Sequence, residues 1–184
     1  MDPDAALEQL LADEVRGALP PFLCFWGHTA KADHAGAWVL SQWWPVAFEV
    51  DGRPYRHAEG FMMSEKARLF GDDEAATRIA EVDHPGEAKK LGRLVRGFDE
   101  ATWEREAFGI VVRGNLAKFG QHPDLQAYLR STAPRVLVEA SPVDRIWGVG
   151  LAGDDPRART PSEWRGRNLL GFALMEVRDA QALS

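Results

Sequence analysis

Cysteine is nearly absent. Cys24 is the one thiol in 184 residues, and a lone cysteine makes no internal bridge, so the fold is expected to stand without disulfides. Also missing is an apolar run long enough to span a bilayer. The chain is 45% hydrophobic and 27% charged, proportions of ordinary globular domains rather than of disordered, collagen-like or membrane-spanning sequences. Positive charge is in deficit, with 22 Lys and Arg against 28 Asp and Glu and a net charge of −6. That balance argues against sequence-independent binding along nucleic acid, which draws on counterion release by an excess of Lys and Arg. A chain of this length buries enough surface to need no structural metal. Repeats, low-complexity stretches and long linkers are absent too, so one domain is expected over residues 21–184, with residues 1–20 as an appended helix. The N-terminal stretch MDPDAALEQLLADEV is acidic and lacks the apolar core of a signal peptide, so a cytoplasmic, most simply bacterial, protein with no membrane partner is expected.

What is abundant is tryptophan, with seven residues. Core packing is the first expectation for most of them, and planar surfaces for stacking a base or sugar the second.

The apolar pattern predicts short strands among longer helices. FLCFW (22–26) reads as a buried strand. WWPVAFEV, Asp51-Gly52 and RPY read as a hairpin, because Asp-Gly supplies the positive φ angles of a tight turn. A helix is predicted from Ala58 to Phe70, with Phe61, Met62 and Leu69 apolar and Gly71 as its stop. Helices at 72–81 and 85–96 follow, then a long one over Glu100 to Phe119 with Trp103, Ala107, Ile110, Val111 and Ala117 in phase. Pro123 starts a short helix, VLVE (136–139) reads as a buried strand, a polar loop spans 141–167, and NLLGFALMEVRDA closes with a helix. The fold class is α+β, a mainly helical single domain with a few short β-strands.

Several motifs fail on context. Gly148, Gly150 and Gly153 have the G-x-G-x-x-G spacing of dinucleotide folds, but no strong strand precedes them and DDPRARTP, which follows, is too polar and proline-broken for the required helix. His57-Ala58-Glu59 matches the H-x-E of zinc nucleobase deaminases, but those enzymes need cysteine ligands that one Cys24 does not supply. There is no G-x-S-x-G elbow and no P-loop, and neither cofactor nor metal is expected.

Three groupings carry chemistry. Glu59 and Lys66 are seven residues apart, which on a helix is two turns, about 10 Å, nearly in register with Met62 and Met63 between them. An acid and a base then line one side of a pocket floored by methionine, or the same spacing describes an ordinary solvated face. Asp144, in the Gly-rich SPVDRIWGVG beside Arg145 and Trp147, is placed to hold a charged centre next to a stacking surface, and reads equally well as a turn-forming Asp. Arg157, Arg159, Arg165 and Arg167 precede a helix starting near Asn168, a candidate phosphate-binding edge whose alternative is a solvated loop.

Together the segments LSQWWPVAFEVDGRPYRHAEGFMMSEKARLFGD, then Trp103, KFGQHPDLQAYLRSTAPRVLVEASPVDRIWGVGL and WRGRNLLGFALMEVR resemble the NADAR family, also called YbiA-like, over roughly residues 22–178. The resemblance implies an N-glycosidase acting on a phosphoribosylamino-pyrimidine intermediate of riboflavin synthesis or on ADP-ribosylated guanine. The implied partner is thus a small-molecule nucleotide or an ADP-ribosylated base, with ADP-ribosylated nucleic acid as an extension. By resemblance Glu59 is the acid and Lys66 the lysine of E-x-x-M-x-x-x-K-A, Asp144 and Trp147 fall on D-x-x-W-G, and Trp103 is the tryptophan of the central helix. Two positions depart from the pattern: Val149 stands where the riboflavin branch has a second Asp, and Gln42 where Asn is usual. Glu59 is then expected to transfer a proton or activate water, Asp144 to hold the ribose or stabilise charge, and Lys66 to pair with Glu59 or attack an opened ribose aldehyde. Met62, Trp103 and Trp147 wall the base, Arg145 adds charge beside Asp144, and Arg165 with the helix start at Asn168 takes phosphate. The competing class is a module that binds ADP-ribose or a related nucleotide without cleaving it.

Overall fold

Asp51 and Gly52 both have positive φ (51° and 74°), and between them the chain reverses, pairing β2 (Phe48–Val50) with β3 (Arg53–Tyr55) antiparallel. This is the expected hairpin, in the turn geometry that Asp-Gly favours. It opens one of two compact units, Gln42–Pro123, into which the chain divides; the other comprises Met1–Ser41 and Asp124–Ser184. The computed structural model describes residues 1–182.

In the unit of Gln42–Pro123 the hairpin is followed by α2 (Ala58–Leu69), α3 (Asp73–Glu81), α4 (Pro85–Gly92) and α5 (Glu100–Gly120). Each begins on a side-chain cap: His57, Asp72, His84 and Asp99 accept from backbone N–H groups one turn in, which satisfies donors a helix start otherwise leaves open. Phe48, Tyr55, Ala58 and Phe61 form the core between hairpin and α2, with Tyr55 and Phe61 edge to face at 5.0 Å. The helix expected over 85–96 stops at Gly92, against Met63 of α2, where a Cβ would overlap that side chain.

In the other unit β1 (Phe22–Phe25) and β4 (Val136–Glu139) pair in parallel, Phe22 opposite Val136 and Phe25 opposite Glu139. α6 (Pro123–Ser131) leads into β4, and α7 (Leu169–Ala182) packs on it. The segment expected as a polar loop holds two short 3-10 turns, Pro156–Arg159 and Pro161–Glu163, and buries Val149, Leu151 and Ala158. α1 (Pro3–Val15) docks in this unit through buried Leu10. Glu14 accepts from the backbone N–H and hydroxyl of Ser162 at 2.9 and 2.6 Å, and Asp4 pairs with Arg167.

The mainly helical α+β class holds, with seven α-helices and four short strands among the described residues. The tryptophans correct the expectation of core packing. None belongs to the buried core; six are half-buried and Trp26 is exposed. A large ring with a polar N–H sits well at a boundary, one face on apolar groups and one edge in water.

Candidate functional site

Helix α2 carries an acid at its beginning and an amine near its end. Glu59 is in the first turn, 6% exposed, where the unpaired N–H groups of a helix start favour a carboxylate. Its backbone N–H donates to the Gln42 carbonyl at 3.0 Å, which ties the start of α2 to the segment before the hairpin. Met62, one turn on, is buried as well. The face is not solvated: Ala58 to Ser64 are all buried, because α3, α4 and α5 all pack on α2.

Lys66 donates from Nζ to the Gly92 carbonyl at 3.0 Å and lies 4.1 Å from the Phe98 ring centre and 5.5 Å from that of Trp103. Partial burial pushes its pKa below the ordinary lysine value, because leaving water penalises the ammonium form. The amine points to the end of α4 and to the aromatic rings that flank the start of α5.

His57 is the N-cap of α2. Nδ1 accepts from the Gly60 N–H at 2.8 Å, which commits one ring nitrogen to the helix. Burial pushes the His57 pKa down to about 4, against the opposing pull of the Val82 carbonyl. Among the described residues no group of three or more His, Cys, Asp and Glu side chains is arranged to hold a metal ion.

Asp144 organises its own loop. Oδ1 accepts from the N–H groups of Ile146 at 2.9 Å and Trp147 at 2.8 Å, and the Asp144 carbonyl accepts from Gly150 N–H at 3.0 Å. Asp144 and Trp147 are half-buried and Arg145 is exposed. Arg145 and Arg165 flank Gly150: a Cβ there would lie 3.1 Å from Arg145 Cγ and 3.0 Å from Arg165 Cβ. Gly150 has φ of 68°, so the glycine spacing noted in the sequence serves loop geometry.

The start of α7 is a correction. Asn168, Leu169 and Leu170 donate their N–H groups to the carbonyls of Gly148, Ile146 and Trp147, so this helix end does not present those three donors to a phosphate. Asn168 is fully buried, its Oδ1 accepting from Glu139 N–H and its Nδ2 donating to Leu137 O, both at 2.9 Å. It joins α7 to β4. Arg145 and Arg165 are exposed cations of this loop, Arg165 lying in the electrostatic reach of Asp155.

Three residues, Phe98, Asn115 and Lys118, were not singled out from the sequence, and Gln42 stood out only as a departure from the family pattern. Phe98 faces Lys66, and Gln42 sits against Met62 with Nε2 4.0 Å from Sδ. Asn115 and Lys118 are fully buried on α5, and burial pushes the Lys118 pKa down to about 7. The last two had a legible signal: they continue the apolar phase of Ala107 and Val111 at helical spacing, where a polar residue enters the interior.

A buried acid and a shielded amine on one helix, with aromatic rings beside the amine, define a candidate site for acid–base or nucleophilic chemistry. The chain belongs to the family of the NADAR domain, whose model matches residues 24–181. It is similar to N-glycosidase R617 of Acanthamoeba polyphaga mimivirus, 41% identical over 157 residues, covering 83% of this chain and 92% of that protein. It is also similar to N-glycosidase YbiA of Escherichia coli, 32% identical over 140 residues, covering 76% and 78% of the two chains. The solved NMR structure of E. coli YbiA superposes with a TM-score of 0.72 at 27% identity, covering 89% of this chain and 86% of that one.

Proposed function

We propose that the protein hydrolyses the N-glycosidic bond of a ribosyl nucleotide, the substrate being a phosphoribosylamino-pyrimidine or ADP-ribosylated guanine. N-glycosyl hydrolysis is supported by membership of the NADAR family and by relatives named N-glycosidases. The observation that carries the mechanism is the presence on one helix, α2, of buried Glu59 and half-buried Lys66, the latter flanked by Phe98 and Trp103.

Cleavage of a ribosyl C–N bond builds positive charge on C1 and the ring oxygen, so the site needs a carboxylate near C1 and a path for protons to water and leaving nitrogen. Glu59 takes the proton of the water that adds to C1 and delivers a proton to the departing nitrogen, which regenerates the carboxylate. Lys66 offers a second route: with burial lowering its pKa, a larger fraction is free amine, able to attack C1 of the ring-opened ribosyl imine, expel the base as its amine and form a Schiff base that water then hydrolyses to the free sugar and amine. Trp103 lies beside that amine as a planar wall for the base, and Met62 lines the face between. For Asp144, Trp147, Arg145 and Arg165 the proposal rests on the family resemblance. Asp144 stabilises charge on the ribose, Trp147 stacks, and the two arginines bind phosphate, while Asn168 positions the loop from below.

The test is release of ribose 5-phosphate or ADP-ribose from the two substrates side by side, with wild type and Glu59→Ala. Release from one substrate, lost in the variant, supports the reading and names the branch. Binding of ADP-ribose without release from either substrate makes the protein a nucleotide-binding module instead.

A further inference from the structure

Two buried amides, Gln42 and Asn115, stand beside the face of α2 that carries Glu59 and Lys66, and their orientations are forced. Asn115 Nδ2 donates to the Val111 carbonyl at 2.9 Å. A backbone carbonyl only accepts, so the amide nitrogen and not the oxygen must face it. The same Nδ2 donates its other hydrogen to Gln42 Oε1 at 2.9 Å, which turns the Gln42 oxygen toward α5 and its NH2 toward α2. There Nε2 meets Met62 Sδ at 4.0 Å, a weak acceptor at the limit of contact. Asn115 Oδ1 is buried and has no hydrogen-bond partner. A buried amide is costly to leave under-satisfied, and here the polarity of the pair ends in a donor aimed at the Glu59–Met62–Lys66 face. Gln42 is also the residue whose carbonyl receives the Glu59 N–H.

We propose that Gln42 is a specificity-determining residue of this site, its side-chain NH2 held outward by Val111 and Asn115 to donate a hydrogen bond to the 2-hydroxyl oxygen of the ribosyl group. The Gln42 NH2 meets Met62 one turn along α2 from Glu59, so with Glu59 at C1 it neighbours the adjacent hydroxyl, and contacts to the 2-hydroxyl strengthen as C1 becomes cationic. The inference rests on the glycosidase reading of Glu59.

The experiment is a cycle between enzyme and substrate. Wild type, Gln42→Glu and Gln42→Met are assayed on ribosyl and 2-deoxyribosyl forms of the phosphoribosylamino-pyrimidine and of ADP-ribosylated guanosine, with melting temperatures alongside. Gln42→Glu keeps the oxygen that faces Asn115 and loses the donor. Both variants are expected to lose about 5- to 15-fold in kcat/KM on the ribosyl substrate, the worth of one hydrogen bond, and less than twofold on the 2-deoxy form. Equal losses on both forms, or no loss on either, overturn the proposal, since a purely structural role ignores the hydroxyl. Should wild type turn over neither substrate, the glycosidase reading fails by itself, and ADP-ribose affinity then judges Gln42. A fall of fivefold or more in Gln42→Met with an unchanged melting temperature supports the contact; unchanged affinity, or no binding by wild type, overturns it.

Discussion

The Lys66 ammonium nitrogen lies 3.0 Å from the carbonyl oxygen of Gly92, the residue that closes α4. The last carbonyls of a helix have no partner within it and carry the negative end of its dipole, so the end of α4 is a fitting socket for an amine. Because the expected helix over 85–96 stops at Gly92, that carbonyl is free to serve. The socket holds Lys66 pointed between Phe98 and Trp103 while burial lowers its pKa.

If this amine condenses with an opened ribose, borohydride added during turnover should leave a stable adduct on the wild type, detected as added mass on the peptide containing Lys66. Lys66→Arg keeps the charge but supplies no nucleophilic amine, so it should yield no adduct and lose roughly 100-fold or more in kcat. Full turnover by Lys66→Arg would restrict the residue to binding.

His57 gives the protein an acid-sensitive helix start. The ring accepts from Gly60 through Nδ1 and so must be neutral there, and burial pushes its pKa down to about 4 from 6.5. Between those values the unfolded chain holds the extra proton, so stability rises with pH through the window, is complete above about 6.5 and falls as pH drops toward 4. The melting temperature should therefore drop more between pH 7.5 and 4.5 for wild type than for His57→Asn, which retains a capping acceptor without the titration. The expected excess is about 2.5 kcal/mol, roughly 5–10 °C in a chain of this length. Parallel curves would remove the histidine from the acid response.

Much of this architecture was legible. The hairpin followed from Asp51-Gly52, α5 from its apolar phase, and the order of acid, methionine and lysine on α2 from spacing. The surroundings of α2 were not. Its pattern suggested an apolar stripe including Leu69, yet Leu69 is 37% exposed while Glu59, Gly60 and Ser64 are buried. A helix enclosed by three others takes its environment from long-range packing, which periodicity within the helix does not report. The use of the α7 start by carbonyls of residues 146–148 was hidden for the same reason.

Gly114 sets how near α5 lies to α2. A Cβ at this position would fall 2.7 Å from Cε1 of Phe61, itself fully buried against Tyr55 and Phe48. On propensity alone Gly114→Ala should strengthen α5 by about 1 kcal/mol. Overpacking a rigid ring in a filled core costs about 1–3 kcal/mol or more, so the packing term wins and the variant should melt several degrees lower. Since Phe61 lies on the helix of Glu59 and Lys66, kcat should fall as well. A gain in melting temperature would mean that Phe61 has room to turn aside.

Asp144 separates loop-building from chemistry in one residue. Its Oδ1 holds the N–H groups of Ile146 and Trp147, so Asp144→Ala should release the loop, costing about 1–3 kcal/mol and opening the chain around exposed Pro142, Val143, Arg145 and Ile146 to proteolysis. Asp144→Asn presents an oxygen to the same two donors and should melt within 1–2 °C of wild type, a loss of roughly 0.5 kcal/mol or less. Removing the negative charge while the loop stays closed isolates its effect on a ribosyl cation, where a preorganised charge is worth about 100-fold in kcat. A stable Asp144→Asn that has lost turnover but still binds ADP-ribose assigns the carboxylate to the transition state. One that keeps both makes Asp144 a turn-former, and leaves the chemistry to Glu59 and Lys66.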